Sequence, residues 1–109
     1  LQALNALTIL MLRVNLEYCE MFTTCELLDR VKATYDLRSD YAVAKKIGVR
    51  TSSMTRYRKH GGTLDDSVAV EVAELLELDP FQVLVSVHLE RAHNQHNQKL
   101  VNVWQQYAA

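Results

Sequence analysis

The chain has 109 residues, about half of them hydrophobic, with 3 Gly, 1 Pro and a formal net charge of −1. That length suits one compact domain of ordinary size. Few Gly and Pro, together with long runs of good helix formers, favour an all-α fold over short strands joined by frequent turns. Two cysteines, Cys19 and Cys25, are too few for a disulfide framework or a four-ligand structural zinc site, so they read as reduced thiols of a cytoplasmic protein.

In chain order, the opening "LQALNALTILMLRV" is apolar, but Asn5 and Arg13 interrupt it short of the roughly 20 residues that span a bilayer. The basic n-region and small-residue cleavage pattern of a signal peptide are missing as well. No membrane span is expected, and residues 1–22 read as an extension peripheral to the domain. Thr23 with Glu26 forms a T-x-x-E capping box ahead of Leu27, Leu28, Val31 and Tyr35 at helical spacing, which predicts a first secure helix from about Thr24 to Tyr35. Ser39 caps a second, short helix carrying Tyr41, Val43, Ala44 and Ile47, ended by Gly48. A third helix begins around Thr51 and runs to about Lys59, where "HGG" stops it.

Thr63, three residues before Asp66, is the expected cap of a fourth helix with Val68, Val72, Leu75 and Leu76 on one face. Asp79 and Pro80 open a fifth, which includes Phe81, Leu84, Val85 and Leu89 and is made apolar on more than one side by Val83 and Val87. "HNQHNQK" is polar, and "LVNVWQQY" is a candidate last helix with Leu100, Trp104 and Tyr107 on one stripe. The expected organisation is an N-terminal extension (1–22), a helical domain (23–94) and a C-terminal tail (95–109).

Charge is distributed very unevenly. From Arg38 to Lys59 the basic residues are Arg38, Lys45, Lys46, Arg50, Arg56, Arg58 and Lys59, opposed only by Asp40. From Gly61 to Glu90 the sign reverses, with Asp65, Asp66, Glu71, Glu74, Glu77 and Asp79 among the acids and no Lys or Arg. One segment is suited to anions and its neighbour is not.

Within the basic segment, a small residue at Ala44 lets two helices cross closely, and Gly48 tolerates the positive φ of a sharp turn. Val43, Ile47, Val49, Met54 and Tyr57 close the inside of the angle. With Met54 and Tyr57 inward, 100° per residue turns Ser52, Thr55, Arg56 and Lys59 outward. Such a helix fits the major groove, about 12 Å wide, with Thr51, Ser52, Thr55 and Arg56 at base edges and Ser39, Lys45, Arg58 and Lys59 near phosphates.

The spacing of Ala44, Gly48, Val49, Met54 and Tyr57 resembles the Cro/C1-type, lambda-repressor-like DNA-binding domain over roughly Thr23 to Ala92. The resemblance implies a five-helix domain, operator binding as a homodimer and transcriptional repression of the phage type, with the third helix as reader; helical extensions at both ends, outside the resemblance, and a nucleoid-associated cytoplasmic location are expected beside it. The family's base-reading positions fall on Thr51, Ser52, Thr55 and Arg56, and its backbone-contact positions on Asp40 and Lys59. Many relatives carry Gln where this chain has Asp40, and an acid there repels phosphate. Ser39, Tyr41 or a backbone amide is then left to make that contact.

Other chemistry finds little support. His88, His93 and His96 lack thiolate or carboxylate partners at ligand spacing and read as surface histidines. Adjacent Asp65 and Asp66 point apart on a helix, and Gly61 and Gly62 lack the Lys and Ser/Thr of a phosphate loop. No nucleophile, base and orienting group come together, so neither an enzyme nor a cofactor or small-molecule ligand is expected. The rival reading is a small helical interaction module, antitoxin-like or adaptor, whose partner is another protein.

Overall fold

The computed structural model describes residues 20–108, which form six α-helices and no strand. They are α1 (Thr24–Thr34), α2 (Asp40–Ile47), α3 (Thr51–Lys59), α4 (Asp66–Leu75), α5 (Pro80–Asn94) and α6 (Gln98–Ala108). The all-α expectation holds, and α6 falls where the candidate last helix was expected, after five others among the described residues. The opening segment and Cys19 lie outside the described residues.

Local chemistry sets the helix starts. Thr23 and Glu26 form the expected reciprocal box: the Glu26 amide donates to Thr23 Oγ1 at 3.2 Å and the Thr23 amide to Glu26 Oε1 at 2.9 Å. Ser39 and Asp79 cap α2 and α5 through the amides of Ala42 and Phe81. The α4 cap differs from expectation. Asp65 Oδ1 accepts from the Val68 amide at 2.9 Å, while Thr63 Oγ1 accepts from Arg91 Nε at 2.9 Å. A carboxylate two residues closer to the helix outcompetes the threonine, whose hydroxyl serves a tertiary contact instead.

Four of the helix ends share one device. Asp36, Gly48, Glu77 and His96 all have positive φ, and in each case the next amide donates to a carbonyl five residues back. These closures satisfy carbonyls that the last turn would otherwise leave without a partner. Only one of the four is glycine, so the sequence marked the end of α2 and hid the others. The turn after α5 is short, and α5 runs through the first part of the polar stretch to Asn94.

Leu27, Leu28 and Val31 of α1, Val43, Ala44 and Ile47 of α2, Met54 and Tyr57 of α3, Val72 of α4, and Val83 and Val87 of α5 make one core. Phe22 belongs to it, one residue before the expected start of the domain. Its amide donates to the buried Ser86 Oγ at 3.1 Å, and the Glu20 carbonyl accepts from Gln82 Nε2 at 2.6 Å. Burying a Phe ring stabilises by about 1.5–3 kcal/mol, so residues 20–22 are part of the packed body.

The two-sided character of α5 is explained by α6. Val83 and Val87 face the main core, while Phe81, Val85, His88 and Ala92, at helical spacing, form the face toward α6. There Val101 is buried, Trp104 stacks on His88 with centroids 4.6 Å apart, and Tyr107 meets Phe81 edge-on at 5.8 Å. The stripe expected from Leu100, Trp104 and Tyr107 is therefore rotated. Val101 and Trp104 lie inward, and Leu100, Val103 and Tyr107 remain exposed. His88, expected at the surface, is half-buried and pairs with Asp66 Oδ1 at 2.9 Å.

Candidate nucleic-acid interface

α2 and α3 are joined by Gly48, Val49 and Arg50. Gly48 sits at φ 79°, a left-handed conformation that costs other residues about 1–2 kcal/mol, and the amides of Gly48 and Val49 both donate to the Ala44 carbonyl at 2.9 Å. Ala44, Met54 and Tyr57 are buried at the junction, as the spacing predicts. Anchoring α3 on Met54 and Tyr57 leaves Thr51, Ser52, Thr55, Arg56 and Lys59 exposed.

The exposed surface has two flanks. On one, Thr51, Thr55 and Lys59 line a groove of about 250 Å³ with Asp40 and Tyr41 of α2. Tyr41 stands 59% exposed at its rim, with Lys45 Nζ 5.4 Å from its ring centroid. Its place there follows from α2 burying Val43, Ala44 and Ile47, which turns residue 41 out. On the other flank lie Ser52 and, beside the loop that follows α3, Arg56.

Ser39 and Lys45 are exposed near the groove, although the Ser39 hydroxyl already accepts from the Ala42 amide. Arg58 differs from the expectation that it lies near phosphates. Its guanidinium donates twice to Asp40, Nε to Oδ2 and Nη2 to Oδ1, both at 3.1 Å, and once to Asp29 of α1 at 2.7 Å. At 22% exposure it is a tie among three helices rather than an outward cation. Asp29 gave no sequence signal, because 29 residues separate it from its partner.

The same tie resolves the Asp40 problem. Hydrogen bonding from Arg58 holds the Asp40 carboxyl below the usual carboxylate range, against partial burial, and the charges of Arg58 and Lys32 act the same way. Lys32 Nζ completes the set at 3.4 Å. For Arg58, burial disfavours the charge but the Asp40 and Asp29 carboxylates outweigh it, so the guanidinium is held more firmly protonated than usual. With its only carboxylate neutralised, the α2–α3 unit presents Lys45, Lys46, Arg50, Arg56 and Lys59 as exposed surplus charge.

α3 also begins differently from its neighbours. Arg50 is its N-cap and makes no side-chain cap bond. Amides in a first helical turn without a side-chain acceptor suit anionic groups. Neither a family model, nor a curated protein, nor a solved structure matches this chain.

Proposed function

We propose that the chain is a sequence-specific double-stranded DNA-binding regulator of lambda-repressor-like arrangement, a phage-type repressor that acts as a homodimer with α3 as its reading helix. One observation carries this reading. Met54 and Tyr57 anchor α3 by its inner face, while hydroxyls and cations occupy an outer face that no described residue covers. Thr51, Ser52 and Thr55 are short enough to meet base edges, and Lys59, Lys45 and Ser39 fit phosphates. Tyr41 replaces Asp40 as the contact from the start of α2, since Asp40 is taken by Arg58 and Lys32.

The homodimer has its own support. Phe81, Leu100, Val103 and Tyr107 are exposed together where α5 meets α6, and Lys99 is the only charged residue of α6. A face with so little charge can meet its own copy about a two-fold axis without like-charge repulsion. Paired reading helices then suit half-sites one turn apart.

Selection of bound sites from a random DNA library, followed by a salt titration on the winning sequence, tests the reading. Log affinity should fall with log salt by about 0.9 per phosphate neutralised, and the selected duplex should outcompete random DNA. A flat salt response, or no enrichment after selection, would sink the proposal.

A further inference from the structure

Arg56 does not reach out across the exposed face of α3. Its guanidinium carbon lies 5.0 Å from the centroid of the buried Tyr57 ring. A Cβ added to Gly62 would fall 2.7 Å from both Cγ and Nη1 of Arg56, closer than real side chains pack. The arginine therefore runs back along the C-terminal end of α3 and rests on the backbone of residue 62, whose amide donates to the Arg56 carbonyl at 3.1 Å.

The two glycines of this loop serve different needs. Gly61 has φ 68° and open space around it, so it answers a backbone demand. Gly62 lies outside the left-handed region, and a side chain there would have to displace that of Arg56. The loop has little freedom to yield. Arg91 Nη2 donates to the Leu64 carbonyl at 2.8 Å, Arg91 Nε to Thr63 Oγ1 at 2.9 Å, and Asn94 Nδ2 to the Gly61 carbonyl at 3.0 Å. α5 thus fixes the surface against which the arginine lies.

We propose that Gly62 is a positioning residue whose bare Cα forms a seat for Arg56, holding the guanidinium at the flank of α3 so that it meets a backbone phosphate rather than a base edge. The proposal rests on the DNA-binding reading. At 100° per residue Ser52 and Lys59 point most directly away from Met54 and Tyr57, whereas Arg56 is turned toward the Tyr57 side, away from the groove lined by Thr51, Thr55 and Lys59. A seated arginine has surrendered much of its rotamer freedom before any partner arrives, which favours binding by lowering the ordering cost. Its planar fork suits two oxygens of one phosphate.

The experiment uses the full chain, as wild type, Gly62→Ala, Arg56→Ala and the double variant. In the free protein, NMR should find the Arg56 side-chain resonances shifted by the Tyr57 ring current, and Gly62→Ala should abolish that shift while the remaining spectrum is kept. A wild-type Arg56 at ordinary shifts overturns the seat, whether or not the alanine variant folds. On DNA, Arg56→Ala should weaken selected and random duplexes alike, by roughly tenfold near physiological salt, and lower the salt slope by about 1. Gly62→Ala should weaken binding in the wild-type background and change nothing in the Arg56→Ala background. An equal Gly62→Ala effect in both backgrounds overturns the positioning role, and relaxed specificity in Arg56→Ala overturns the phosphate assignment. Failure of the wild type to bind any duplex refutes the DNA reading and the phosphate assignment with it, while the NMR result still decides the seat.

Discussion

Arg58 of α3 grips Asp40 of α2 through two parallel hydrogen bonds of 3.1 Å, and its Nη2 also donates to Asp29 of α1 at 2.7 Å. The guanidinium is the best shielded member, with Asp40 and Asp29 more open to solvent at 40% and 66%. Solvent screening discounts the pairs accordingly. Arg58→Ala should cost about 1 kcal/mol, the upper part of the range for exposed ion pairs, as read by urea unfolding near neutral pH. If Arg58 is occupied within the protein, the same variant should leave the salt slope of DNA binding unchanged, whereas Lys59→Ala should lower it by about 1.

The Asp40 carboxyl also gives the fold an acid-side signature. Its pKa lies below the ordinary value of 3.8 in the folded chain, chiefly through hydrogen bonding from Arg58. The unfolded chain therefore takes up the proton first as pH falls. The stabilisation is complete above the ordinary value and is lost as pH drops through the lowered one. Asp40→Asn should be less stable than wild type near neutrality and show a shallower loss on acidification, measured as urea midpoints at the two ends of the range. Parallel curves for the two proteins would contradict the assignment.

Gly48 and Glu77 form a matched pair for testing the helix closures. Both hold left-handed backbone, at φ 79° and 55°, but only one is suited to it. Nothing lies within 4 Å of a Cβ built on Gly48, so Gly48→Ala should cost about 1 kcal/mol through backbone strain alone. Glu77→Gly should move stability the opposite way by several tenths of a kcal/mol, because relief of strain exceeds the added chain entropy. Thermal melts should register the two changes as shifts of opposite sign, about 4–8 °C for each kcal/mol in a domain of this size.

On α6, Trp104 and Val103 separate inward packing from outward contact. Trp104→Ala removes the stack on His88 and should loosen α6 from α5, with proteolysis at residues 95–97 as the readout. The aromatic contact itself is worth about 0.5–1.5 kcal/mol. Val103→Asp should leave the melting temperature of the monomer nearly unchanged, since Val103 is already 45% exposed, but abolish self-association in sedimentation at tens of micromolar. A variant that still sediments as a dimer would place the interface elsewhere.

Legibility in the sequence followed the range of the forces involved. The caps of α1, α2 and α5 and the Ala44–Gly48 spacing are local signals, fixed within a few residues, and all were readable. The α4 cap was misread because Thr63 and Asp65 both offer oxygens, and the choice between them depends on Arg91, 28 residues away. Exposure of Ser52, Thr55, Arg56 and Lys59 followed from one helical period and two anchors. The engagement of Arg58 did not, because it needs α1 and α2 folded around it. The rotation of α6 was equally hidden: several of its apolar residues compete for one contact face, and the partner rings of Phe81 and His88 decide between them.

Five of the six helices begin under an oxygen from a neighbouring side chain, Asn97 serving α6 through the Leu100 amide, while α3 starts on Arg50 without one. The amide that a cap would serve there, that of Ser53, donates instead to the Arg50 carbonyl at 3.0 Å. On the DNA-binding reading proposed above, the one helix start among the described residues left without a side-chain cap is the one that would face the duplex.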